Sequence, residues 1–212
     1  MNWRWKLAQY AEIRWWRRYL HQKEPEAYLE NKRQYWDRTL KALKIDLLPA
    51  EADVLDAGCG PAGIFMVLPG RKVVAIDPLL EAYASLPHFS PHQYPWVTFQ
   101  QTTLEAFDQK AAFDYIFCLN VINHVSNLQQ SIESLFSAAR PGGHLVLSVD
   151  THNFSLFRHV FSWLAGDILH PHQYYLQEYT EMLTKAGWKV ERTQLLKRNF
   201  FFDYYGIVAR KE

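Results

Sequence analysis

The sequence predicts an α/β protein built round a mostly parallel sheet, and three observations lead there. From residue 52 onward, short apolar runs alternate with stretches of helical character, the pattern of strands joined by crossover helices. A glycine-rich turn, Gly58-x-Gly60-x-x-Gly63, follows the first of those runs. The 212 residues are 49% apolar and 21% charged, a globular balance that suits one domain with a helical appendage.

Ile13, Trp16 and Leu20 recur at helical spacing among Arg14, Arg17 and Arg18, which predicts a basic amphipathic helix over residues 1–22. A second helix is expected from Pro25, a first-turn residue flanked by Glu24 and Glu26, to Leu43, with Leu29, Trp36, Leu40 and Leu43 as its apolar stripe. Residues 1–48 therefore read as a helical lid or appendage and 49–212 as the main domain. Strands are expected at Val54–Ala57, Lys72–Ile76, Trp96–Gln100, Tyr115–Leu119 and His144–Val149, with helices between them. An irregular apolar segment, Phe154–Leu169, precedes a helix from Tyr174 to Ala186 that Gly187 ends. Trp188–Leu195 and Phe200–Ala209 close the chain as an antiparallel pair at the sheet edge.

Net charge is +1, but unevenly spread: the first fifty residues hold eleven Lys/Arg against six Asp/Glu, the remainder twelve against sixteen. That speaks against a general electrostatic grip on nucleic acid. Two cysteines, Cys59 and Cys118, make no disulfide framework and suggest a reducing compartment. No stretch offers about 20 charge-free apolar residues, so a soluble cytoplasmic protein, monomer or homodimer, is the expectation. Of eight tryptophans, five (Trp3, Trp5, Trp15, Trp16, Trp36) lie in the first forty residues. They suit a lid over the open strand ends, with Tyr35 and Trp36 as its ligand contacts. The Trp/Arg mixture also suits a peripheral membrane contact.

The glycine turn permits a ligand to lie against bare backbone, and Asp77 stands at the distance expected of a ribose-binding carboxylate. Taken alone, this is a dinucleotide fingerprint. Asp56 separates the readings: a carboxylate at the mouth of the loop repels pyrophosphate and favours a ligand carrying an amino group and a sulfonium. A dehydrogenase would also need a substrate domain, and only about 60 residues follow the fifth strand.

Val54-Leu55-Asp56-Ala57-Gly58-Cys59-Gly60 resembles the first motif of the class I S-adenosylmethionine-dependent methyltransferases. Ala75-Ile76-Asp77, Phe113 to Val125 and Arg140 to Ser148 resemble three further motifs in the same order. The resemblance implies a Rossmann-like three-layer sandwich, its seven-stranded sheet carrying an antiparallel last strand. It implies S-adenosylmethionine as cofactor and S-adenosylhomocysteine as product. Asp56, Gly58, Cys59 and Gly60 would hold the methionine end, Asp77 and Pro78 the ribose, and Leu119 and Asn120 the methionyl amino group or the sulfur side. Many relatives place Asp at the adenine position, where this chain has Gln101-Thr102-Thr103-Leu104-Glu105, so backbone at Thr103 and Leu104, or the Thr102 hydroxyl, would replace it. Within the family the chain looks most like the ubiquinone-biosynthesis O-methyltransferase branch.

Methyl transfer from a sulfonium needs positioning, a dry pocket and, for an oxygen acceptor, a base. A base could be His124, His152, His170 or His172, with His124 and His152 the leading candidates and His170 and His172 candidate substrate contacts in a covering insertion. No carboxylate or cysteine cluster completes a metal site around His170-x-His172. The expected activity is methylation of a small molecule at oxygen, with nitrogen and carbon acceptors left open. The rivals are an RNA- or nucleotide-directed methyltransferase and a non-catalytic regulatory subunit of the same fold.

Overall fold

The computed structural model describes residues 3–152, 174–199 and 202–212. Helix α1 spans Trp3–His21 and α2 spans Pro25–Ala42. Glu24 starts α2: its carboxylate accepts hydrogen bonds from the Glu26 amide at 3.1 Å and the Ala27 amide at 2.6 Å, while Pro25 fills a first-turn position that needs no donor. The buried face of α2 carries Tyr28, Leu29, Trp36, Thr39 and Leu40.

The strands are β1 (Asp53–Ala57), β2 (Lys72–Ile76), β3 (Val97–Gln100), β4 (Phe113–Cys118), β5 (Ala139–His152), β6 (Trp188–Arg198) and β7 (Phe202–Lys211). They form one seven-stranded sheet in the order β3-β2-β1-β4-β5-β7-β6. The first five run parallel, and β7 is antiparallel to both β5 and β6. This is the expected sheet, including its antiparallel last strand.

The crossovers differ from the expectation of a helix between every pair of strands. Between β1 and β2 lie only two 3-10 turns, Gly60–Ala62 and Ile64–Val67. Between β2 and β3 the single α-helix, α3, is Leu80–Tyr83, and between β3 and β4 there is one 3-10 turn, Leu104–Ala106. Prolines 61, 69, 78, 87, 91 and 95 punctuate these stretches, and each removes a donor that a helix interior would need. The face left bare is covered from elsewhere. Ile13 and Leu20 of α1 and Trp36 and Leu40 of α2 share one core with Val54, Val73, Ala75 and Phe117 of the sheet. Each fully buried leucine there contributes about 1.5–3 kcal/mol relative to exposure. The N-terminal helices thus complete one layer of the sandwich.

The opposite face is conventional. Helices α4 (Leu128–Ala138) and α5 (Leu176–Lys185) cover Leu55, Ala57, Ile116, Leu145 and Ile207. Asn127 caps α4 by accepting the Gln130 amide at 3.1 Å. Among the described residues no helix is long and apolar enough to cross a membrane.

Candidate functional site

A cavity of about 520 Å³ opens at the carboxyl ends of β1, β2 and β4, the end where ligands of such sheets bind. Its floor is the glycine loop after β1. Gly58 has φ +77°, a left-handed conformation, and a β-carbon there would collide with Val121, so the position requires glycine. The Gly58 and Cys59 amides both donate to the Ile76 carbonyl, at 2.8 and 3.0 Å, which clasps the loop to the end of β2.

Asp77, just beyond β2, ties the same loop from the side. Its Oδ2 accepts the Gly60 amide at 3.0 Å and its Oδ1 accepts the Leu79 amide at 2.8 Å. A carboxylate has about four acceptor sites, so two bonds leave capacity for a ligand hydroxyl pair. Burial pushes the Asp77 carboxyl up to about 6 despite these amides.

Gly58, Cys59, Gly60, Asp77, Pro78, Thr103, Leu104, Leu119, Asn120, His124 and Trp36 all border this cavity. Asn120 adopts φ +60°, and its amide donates to Ser148 Oγ at 2.8 Å, while the Tyr204 hydroxyl donates to the same oxygen at 2.7 Å. Thus β5 and β7 hold the loop that follows β4. The Thr103 side chain accepts the Ala106 amide at 3.2 Å and starts the turn that presents Leu104. Cys59 is buried, and desolvation holds its thiol well above the ordinary value, so it is a neutral loop side chain. His124 lies in the 3-10 turn Ile122–His124, and the neighbouring Asn123 accepts a hydrogen bond from the Tyr179 hydroxyl at 3.2 Å.

Two expected ligand contacts stand elsewhere. The Asp56 carboxylate does not border the cavity: it turns inward beneath the loop, where Oδ2 accepts the Phe65 amide at 3.1 Å and crowds against Gly63. Burial raises its carboxyl to about 7, only partly opposed by that amide. Its work is to hold the Gly63–Phe65 backbone, and the charge that the sequence reading set at the loop mouth is absent from it. Tyr35 does not border the cavity: one position and about 100° round α2 from Trp36, it is half-buried against the sheet core with its ring 4.8 Å from that of Trp36. His152 ends β5 opposite Phe202; its side chain, together with His170 and His172, lies outside the described residues.

The cavity also has a roof that sequence reasoning missed. Gln9, Glu12, Trp15 and Trp16 of α1 and Lys32 of α2 face it. Trp36 Nε1 donates to the Ala62 carbonyl at 2.9 Å and pins α2 to the glycine loop. Burial, reinforced by the nearby Asp77 charge, pushes the Glu12 carboxyl up to about 7. Among the described residues the buried Gln9 Oε1 has no hydrogen-bond partner, an acceptor left for a ligand. The available signal was spacing: Gln9, Glu12 and Trp16 lie three and four residues apart on one face of α1. At the adenine position Glu105 borders the cavity, yet its Oε1 accepts the Ser126 amide and hydroxyl, each at 2.8 Å, and the Asn127 amide at 3.0 Å. Burial alone would raise its pKa, but those bonds outweigh it and leave it below the ordinary value.

Residues 28–193 match the family model described as a methyltransferase domain. The ubiquinone biosynthesis O-methyltransferase of Rickettsia akari is 29% identical over 155 residues, 68% of this chain and 58% of that protein. The chain spans between 53% and 64% of the length of that protein and three further Rickettsia proteins of the same name. Among solved structures, an S-adenosylmethionine-dependent methyltransferase of Thermotoga maritima aligns with TM-score 0.65 at 17% identity, covering 94% of this chain and 98% of that one. The 1,6-didemethyltoxoflavin-N1-methyltransferase of Burkholderia thailandensis, solved with its acceptor and S-adenosylhomocysteine, aligns with TM-score 0.61 at 19% identity, covering 88% and 79%. Both likenesses speak to the fold.

Proposed function

The chain belongs to the methyltransferase-domain family, and from that premise we propose that it moves a methyl group from S-adenosylmethionine to an oxygen of a small-molecule acceptor. The observation that carries the reading is the acidity round the glycine loop: Glu12 and Asp77 both border the cavity there, Asp56 lies just beneath, and burial raises all three carboxyls, so a nearby cation favours their ionisation and an anion opposes it. Unit charges 4 Å apart interact by about 4 kcal/mol at an effective dielectric constant of about 20. A pyrophosphate on this loop would meet that as repulsion, whereas a ligand bearing a sulfonium and an ammonium would meet it as attraction. The sign argument survives the reorientation of Asp56 because Glu12 and Asp77 take it over.

Bound here, S-adenosylmethionine supplies an activated methyl group and is left as S-adenosylhomocysteine. The residues that would hold it fit its parts. Asp77 has acceptor capacity for the ribose hydroxyls, the Gly58–Gly60 backbone lies bare for the methionine end, and the Leu119–Asn120 turn borders the space for its amino group. With Glu105 committed to Ser126 and Asn127, the adenine would be read by Thr103 and Leu104 backbone and the adjoining Thr102. Trp15, Trp16 and Trp36 line the remaining space with apolar surface. His124 borders the cavity and is our base: it takes the acceptor's hydroxyl proton as the oxygen–carbon bond forms. His152 is the second base to test. A small acceptor follows from the cavity's size, which lies within the usual range for small-ligand sites, and oxygen from the likeness to the ubiquinone biosynthesis enzymes.

Titration calorimetry with S-adenosylhomocysteine and, separately, NAD tests the reading. The expected result is binding of the first only, weakened at least about 100-fold by Asp77→Ala, the scale of two lost charge-assisted hydrogen bonds. Binding of NAD, or of neither ligand, would overturn it, the second outcome favouring a non-catalytic subunit.

A further inference from the structure

Lys32 occupies a place on α2 where an apolar side chain is expected. It lies one turn after Tyr28 and one turn before Trp36, and both of those neighbours are buried core residues. Its ammonium is 5.9 Å from the Tyr28 ring centre, 5.4 Å from Tyr35 and 5.5 Å from Trp36, within reach of cation–π attraction to all three. The side chain borders the cavity.

Among the described residues Lys32 has no carboxylate partner, although three carboxylates line the same cavity. None of the three pairs with it among the described residues. Glu105 is held by Ser126 and Asn127, Asp77 by the Gly60 and Leu79 amides, and Glu12 lies beside Asp77 and Trp16. A largely desolvated, unpaired cation in a packed helix stripe is costly, and burial lowers its pKa accordingly. Local rules broken without a compensating partner in the protein are characteristic of ligand sites.

We propose that Lys32 selects the methyl acceptor: it pairs with an anionic oxygen group, such as a carboxylate, on a flat apolar molecule stacked among Trp15, Trp16 and Trp36. The inference rests on the methyltransferase reading, since it divides the cavity between a cationic donor at the Glu12–Asp77 side and an anionic acceptor at Lys32. Opposite charges on the two ligands then sort them to the correct ends of one cavity.

A matched pair of probes, 2-naphthoate and 2-naphthamide, separates charge from shape. Their affinities are measured by tryptophan fluorescence on the full chain, free and saturated with S-adenosylhomocysteine. The expected result is a preference for naphthoate of about tenfold, the scale of one partly buried ion pair. Lys32→Met should abolish the preference and Lys32→Arg should keep it, which guards against a Met variant that merely folds poorly. Equal affinity for the two probes, binding of neither, or a preference that survives Lys32→Met would overturn the proposal. Its failure is distinguishable from failure of the methyltransferase reading, because S-adenosylhomocysteine binding by the wild type is read first and independently.

Discussion

The two ends of the central strands treat acidic residues in opposite ways. At the amino end, Asp53 opens β1 and Asp114 lies near the start of β4, and Arg140 bridges both, at 2.7 Å and 2.6 Å. The Asp53 amide also donates to Asp114 at 2.9 Å. Burial opposes ionisation of Asp114, but this amide and the guanidinium outweigh it and hold its carboxyl below the ordinary value. Only three residues along β1, and just past β2, Asp56 and Asp77 accept backbone amides, with Glu12 nearby and, among the described residues, no ion pair to a cation, and all three carboxyls are raised by burial. One end is electrostatically closed by the chain itself. The other stores acidity that a cationic ligand would neutralise, so the contrast separates structure from function within a single strand.

The contrast is sharpened most by Gly58→Ala. A positive φ costs a non-glycine residue about 1–2 kcal/mol, and the collision with Val121 forces the loop to shift. We expect S-adenosylhomocysteine affinity to fall by about two orders of magnitude and the melting temperature to drop by several degrees, checked by calorimetry and thermal melts.

A smaller effect is expected from pH. A carboxyl raised in the folded state binds its proton more tightly there than in the unfolded chain. Its stabilising contribution is therefore complete below the unfolded value near 4 and is lost as pH rises through about 6 to 7. Melts of the ligand-free protein should thus fall between about pH 5 and 7 and level off above that. S-adenosylmethionine should bind on the order of tenfold more tightly at about pH 7.5 than at 5.5, with proton release, and its uncharged-sulfur product should show a weaker trend. A flat profile for both would remove the stored-charge account.

The smallest effect belongs to the other end. Arg140 is 39% exposed, so solvent screens its pairs and Arg140→Met should cost only about 1 kcal/mol in denaturant titrations. Affinity for S-adenosylhomocysteine should not change. A tenfold loss would show that the two ends are coupled.

Much of this architecture was legible along the chain. Alternating apolar runs gave away the five parallel strands, and the Gly58–Gly63 spacing with Asp77 marked the loop and its ligand end. The crossovers were misread because helical spacing in a window says nothing of whether the face is already covered. Here α1 and α2 supply that cover, and prolines confine the crossovers to 3-10 turns. Asp56 was assigned the right residue type but the wrong direction. A strand alternates its side chains, yet whether a terminal carboxylate turns out to the cavity or in to the Phe65 amide depends on how the following loop closes.

What the amino-acid order determined on its own is local and periodic: strand and helix positions, the turn that demands glycine, and the acidic residues near the carboxyl ends of β1 and β2. Tertiary structure alone decided which of those acids meet the cavity, and brought Glu12 and Lys32 to it from helices that precede the glycine loop in sequence. Periodicity is a property of neighbours in sequence, whereas desolvation and unpaired charge are properties of neighbours in space, and only folding makes the second set known.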